Sequence, residues 1–146
     1  MPDGVATCLQ LPAALVDKVR HHARHEYPHE CCGVLLGKRG AGLAIVMAVK
    51  PAANLSSLDR TRHFHMDPGD LLIAIREARG RRLELLGFYH SHPHSDAAPS
   101  ARDLEGGWPG TSAVVVPVNA EGCGSLRSYR VVKGGSVVEE NLEEVR

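Results

Sequence analysis

The side chains able to do chemistry are concentrated in Gly87 to Asp103, which reads GFYHSHPHSDAAPSARD. His90 and His92 stand two residues apart at the end of the apolar run Leu83 to Tyr89. If that run is a strand, alternation sends both rings out of one face, where two nitrogens can reach one ion. Pro93 removes a backbone donor and ends the strand, so His92 falls at a strand-to-loop exit open to a substrate. Ser100 is a good helix N-cap, and Asp103 follows in the first helical turn, where its carboxylate can turn back toward the histidines. Two imidazoles and a carboxylate make three ligands. Catalytic zinc usually keeps three protein ligands, at roughly 2.0 to 2.3 Å, and leaves a position open, whereas structural zinc is closed by four, mostly cysteines. The competing reading makes HSHP a surface turn, Asp103 an acid favoured by the helix dipole and Ser100 a plain cap.

The whole spacing separates the two. HSHP, six further residues, then Ser100 and Asp103 resembles the H-x-H-P-x(6)-S-x-x-D signature of the JAMM metalloproteases, also called MPN-plus domains. That family also needs a glutamate well upstream, and this chain offers Glu30 in HECCGVLLG. The resemblance covers nearly the whole chain, 1–146 as a single domain, and is closest to the small stand-alone bacterial members that trim ubiquitin-like sulfur-carrier proteins. His94 is a complication, because it adds a third imidazole on the same nominal face; Pro93 is expected to keep it away. The resemblance implies Zn2+ held by His90, His92 and Asp103, with Glu30 carrying a proton from water to the leaving amine and Ser100 hydrogen-bonding the oxyanion. It also implies cleavage of a peptide or isopeptide bond at the carboxyl-terminal tail of a ubiquitin-like or sulfur-carrier protein, with a single cysteine as one leaving group; a deubiquitinase-like activity or a general zinc peptidase fits the same site.

The elements that must position these residues can be placed from pattern. Thr7 to Leu11 suggests a short strand, and Pro12 suits the first turn of a helix with Leu15, Val16, Val19 and Ala23 at helical spacing, ending before Pro28. His21, His22, His25 and His29 read as exposed helix-end residues rather than a second metal site. Cys31 to Leu36 and Leu43 to Lys50 form a hairpin around Gly37 to Gly42, with Glu30 at its entrance. Pro51 to Arg62 reads as a polar loop, a segment that family members commonly use to hold the substrate tail. His63 to Met66 alternates like a short strand, with His63 and His65 as edge polar residues opposite Phe64. Asp67-Pro68 opens a helix with a Leu71, Leu72, Ile75 and Ala78 stripe that ends at Gly80. After the motif helix come a turn-rich link with Trp108 as a partly buried anchor, a buried strand at Ala113 to Val118, and a strand at Leu126 to Val132. Val137-Val138 follows a Gly134-Gly135 turn, and EENLEEVR reads as a short helix or frayed end. The pattern is an α/β sandwich with a mixed sheet, and the resemblance implies the same fold in a cytidine-deaminase-like, three-layer form.

Composition sets the outer bounds. The chain has 146 residues, 43% hydrophobic and 23% charged, enough for one core. Lys plus Arg and Asp plus Glu each total 17, so bulk charge asks for neither nucleic acid nor an acidic membrane. Arg60, Arg62, Arg76, Arg79, Arg81 and Arg82 read as a solvated face. Cys8, Cys31, Cys32 and Cys123 suggest no disulfide ladder, and no stretch is long and apolar enough to span a bilayer, so a cytoplasmic monomer or homodimer is expected. Three rivals remain. A zinc nucleoside deaminase needs H-x-E and a later P-C-x-x-C, which are absent. A cysteine hydrolase would use Cys31 or Cys32 with a histidine, and a non-catalytic MPN scaffold normally loses the motif residues that this chain keeps.

Overall fold

A computed structural model describes residues 8–93, 108–134 and 136–146. His94, Ser100, Asp103 and the expected motif helix therefore lie outside the described residues. Pro12 works at a junction: it ends strand β1 (Cys8–Pro12) and stands before helix α1 (Ala13–Glu26), where it lacks only a donor that the first helical turn would leave unused. Val16, Val19 and Ala23 bury one stripe of α1, and the helix stops before Pro28. Strands β2 (Cys32–Gly40) and β3 (Leu43–Ala52) form the expected hairpin. Its turn is shorter than the glycine-rich run suggested, because a register shift after Leu36 lets Lys38, Arg39 and Gly40 go on pairing, and only Ala41 and Gly42, at φ +68°, reverse the chain.

Helix α2 (Pro68–Gly80) starts as expected, with the Asp67 carboxylate accepting from the Gly69 N–H at 2.8 Å. Its buried stripe differs from the expected one. Ala74 and Ala78 are buried with Leu71 beside them, whereas Leu72 and Ile75 are exposed, because small residues let the helix approach the sheet closely. His63 to Met66 is not a strand. It makes one isolated bridge, Asn54 to Met66, and the Asn54 side chain together with backbone bonds to Leu55 and Asp59 holds the rest of it in place.

Strands β4 (Glu84–His92), β5 (Ser112–Asn119), β6 (Gly122–Cys123), β7 (Arg127–Val131) and β8 (Val137–Val145) complete the sheet. The order is β4-β2-β3-β1-β8-β7-β5-β6, and β5 also pairs with β4, so seven strands close into a ring and β6 hangs on β5. Pairing is mixed: β1 is parallel to β3 and β8, and β4 to β5, while the others run antiparallel. The glutamate-rich tail is thus a strand, contrary to the helix or frayed end expected of it. Partners on both sides override its helical propensity. Glu140 turns inward, where its Oε1 accepts from Ser112 Oγ at 2.6 Å and Ser128 Oγ at 2.8 Å, and Leu142 packs on the core.

The helices cover opposite faces of β2 and β4. Leu35, Leu86 and Tyr89 pack with Val16, Val19 and Ala23 of α1, while Val34, Leu36 and Phe88 pack with Ala74 and Ala78 of α2. Among the described residues no helix is long and apolar enough to cross a membrane.

Candidate active site

The histidines stand on a strand that is held from both sides. β4 pairs with β2 from Glu84 to His90 and with β5 from Gly87 to His92, so the strand runs three residues beyond the apolar stretch and carries both rings. Gly87 allows this. A Cβ there would lie 2.0 Å from the Ser112 carbonyl oxygen, so only glycine lets β5 approach so near.

Alternation then sorts the side chains. Tyr89 and Ser91 face α1, and His90 and His92 face the other way, both buried, with ring centroids 5.1 Å apart and planes at 64°. Phe64 stacks on His90 at 5.0 Å and 20°, fixing the plane of that ring. Phe88, on the same face, meets the ring of Trp108 edge-on at 5.4 Å, and Trp108 is half exposed. It is therefore both a packed anchor and a surface residue.

Glu30 reaches this face by register. The recorded register ends with Cys32 opposite His90, and Cys31 bonds to Ser91 beyond it, so alternation carried one residue further gives Glu30 the same side as His92. The Ser91 N–H donates to the Cys31 carbonyl at 3.0 Å, and Ser91 Oγ accepts from the Cys31 N–H at 2.7 Å. The residue between the histidines thus ties down the residue after Glu30. Glu30 itself is only 4% exposed, which excludes the ordinary edge glutamate as its reading.

The donor set has the chemistry a zinc ion takes. Two buried imidazoles side by side on one strand are the nitrogen donors such an ion would take, and the buried Glu30 carboxylate stands just ahead of the neighbouring strand. Among the described residues no three His, Cys, Asp or Glu side chains gather as a metal cluster, and the third ligand expected, Asp103, is not among them.

The cysteines are of a different kind. Cys31 and Cys32 are fully buried, and burial pushes each thiol up to about 12, so neither is a thiolate at neutral pH. That removes the basis of the cysteine-hydrolase reading. His22 departs from the exposed histidines expected on α1. Its Nδ1 lies 2.8 Å from Tyr89 Oη, and burial lowers its pKa below the ordinary value, whereas His21 and His25 are exposed and stack on each other at 6.1 Å.

Sequence reasoning missed Phe64 and Ser91. The HFH alternation drew attention to the flanking imidazoles although the ring between them makes the contact, and Ser91 passed as the variable position of a motif. A small hydroxyl residue alternating with the two histidines at the end of an apolar run was the available signal for Ser91.

A family model for prokaryotic homologs of the JAB domain matches residues 12–132. A desampylase of Haloferax volcanii is 36% identical over 70% of this chain and 75% of its own length. A CysO-cysteine peptidase of Mycobacterium tuberculosis is 30% identical over 97% of this chain and 94% of its own. The solution structure of a protein from Desulfitobacterium hafniense superposes with a TM-score of 0.79 at 31% identity, covering 94% of each chain. The chain belongs to the prokaryotic JAB-domain family and is a JAMM-type peptide or isopeptide hydrolase.

Proposed function

We propose that this hydrolase is zinc-dependent and cleaves the bond joining the carboxyl-terminal tail of a ubiquitin-like or sulfur-carrier protein to an amine, a single cysteine being one such leaving group. The observation that carries the reading is the pair of buried imidazoles on β4 with Glu30 brought beside them through the Ser91 and Cys31 bonds. The printed names of the Haloferax and Mycobacterium relatives support the substrate class. His90, His92 and Asp103 would hold the ion. When bound, zinc supplies Lewis acidity and lowers the pKa of a coordinated water from 15.7 toward about 7.

The remaining steps belong to the protein's own groups. Glu30 accepts the proton of the attacking water and hands it to the leaving amine, for which a buried carboxylate next to the ligand pair is suited. Ser100 donates a hydrogen bond to the oxyanion, a role in which one lost donor typically costs about a hundredfold to a thousandfold. Residues 1–146 act as one catalytic domain in the cytoplasm. The finer fold is a cytidine-deaminase-like three-layer arrangement, supported by the helices on opposite faces of β2 and β4.

Glu30→Gln tests the assignment. The amide keeps the shape and loses the proton acceptor, so zinc content and substrate affinity are expected to stay while turnover falls by about a hundredfold to ten-thousandfold. Retained turnover would place the base elsewhere, and loss of zinc would make Glu30 a ligand.

A further inference from the structure

Glu30 sits two residues before β2 begins, so its backbone N–H and C=O lie outside the strand assignment although the residue is buried. Buried backbone groups need partners. Segment 53–66 supplies both: the Glu30 N–H donates to the Arg60 carbonyl at 2.7 Å, and the Glu30 carbonyl accepts from Asn54 Nδ2 at 3.0 Å.

Asn54 does more than meet one carbonyl. Its Nδ2 also donates to the His63 carbonyl at 3.0 Å, and its Oδ1 accepts from the N–H groups of Ser56 and His65, each at 3.0 Å. Two donors and two lone pairs are the whole capacity of an asparagine amide. One end faces two carbonyls and the other two N–H groups, so the network fixes which way the amide points. Neither the acceptor-only carboxylate of aspartate nor the methyl of alanine can replace it.

The His63 and His65 bonds bracket Phe64, the residue stacked on His90. One side chain therefore joins the backbone of Glu30 to the segment that covers a histidine of the ligand pair. We infer that Asn54 is a positioning residue for the hydrolysis, holding Glu30 in place beside His90 and His92. The inference rests on the reading of Glu30 as the proton carrier. A reacting group displaced by about 1 Å can lose a hundredfold in rate, and partners that orient a metal site's groups typically matter by about 10- to 100-fold.

The test uses the zinc-loaded full chain and, as probe, a ubiquitin-like sulfur carrier with cysteine amide-linked to its terminal carboxyl. Asn54→Ala and Asn54→Asp are compared with Asp70→Ala. Asp70 is the control because its carboxylate accepts from the Ala53 N–H at 2.8 Å and so anchors the same segment through a different residue. Both Asn54 variants are expected to lose about 10- to 100-fold in kcat, with KM and zinc content unchanged, and Asp70→Ala to keep its kcat. Amide hydrogen exchange at the Glu30 N–H is expected to speed up in the Asn54 variants and not in Asp70→Ala. Asn54→Asp retains the acceptor end, so it serves if Asn54→Ala does not fold.

Wild-type kcat in Asn54→Asp, while Glu30→Gln is inactive, overturns this inference alone. So does an equal fall in kcat and equal exchange in Asp70→Ala, which would make Asn54 a general loop anchor. Wild-type turnover in Glu30→Gln overturns the base assignment and takes this inference with it.

Discussion

Ser91→Ala probes the joint between the two halves of the site. In the wild type the Ser91 hydroxyl, wholly buried, accepts from the Cys31 N–H at 2.7 Å, at the point where the β2 ladder gives out and a side chain takes the place of a carbonyl. Alanine removes one oxygen and leaves almost no cavity, so the cost is that of a buried donor without its acceptor, about 1 to 3 kcal/mol. For a domain of this size each kcal/mol moves the melting temperature by roughly 2 to 4 °C, which gives a fall of about 2 to 12 °C. Urea unfolding is the assay: the midpoint should drop while the slope stays the same, showing lost stability rather than a changed denatured state. Turnover should fall as well, since Cys31 is the covalent neighbour of Glu30. A loss below about 0.5 kcal/mol, with full activity, is what a surface substitution gives and would refute the joint.

Three other outcomes follow from named groups. Metal analysis should find zinc in the wild type and in His94→Ala, and little in His92→Ala or Asp103→Ala, each of which leaves two of the proposed ligands. Ser100→Ala should lower kcat more than it raises KM, because an oxyanion donor acts mainly in the transition state; an unchanged kcat would leave Ser100 a cap. His22, near Glu26, His21 and His25 and bonded to Tyr89, has a pKa lowered by burial. The unfolded chain therefore binds its proton first, and its contribution to stability is full above the ordinary 6.5 and is lost as pH falls through the folded value. Denaturation against pH should show less of that acid loss in His22→Gln.

What could be read from the sequence depended on range. The strand bearing His90 and His92, the proline that ends it and the glutamate at the hairpin entrance follow from alternation and local stereochemistry, and the structure has them so. The first turn of α2 was equally local, since Asp67 and Pro68 need only Gly69 to act. By contrast, β8 is a strand because β1 and β7 flank it and because Ser112 and Ser128, far away in the chain, hold Glu140. Nothing within EENLEEVR announces those partners. The same holds for His22, whose partner Tyr89 lies 67 positions away, and for Phe64, whose contact with His90 depends on how bonds from Asn54, Leu55 and Asp59 fold the 63–65 segment back.

The two faces of β4 divide the work. Toward α1, Tyr89 and Ser91 are committed to His22 and Cys31, so that face holds the strand in place. Toward α2, His90 stacks on Phe64 and shares its face with Phe88 and His92, and the strand beneath is bonded to β2 as far as His90 and to β5 as far as His92. The proposed ligand pair thus inherits the rigidity of a central strand. Glu30 does not, because it precedes the ladder and is placed through Asn54, Arg60 and the Cys31 to Ser91 bond. Changes in the 53–66 segment should therefore disturb proton transfer before they disturb metal holding. Changes to the face toward α1 should disturb both together, because there the strand itself gives way.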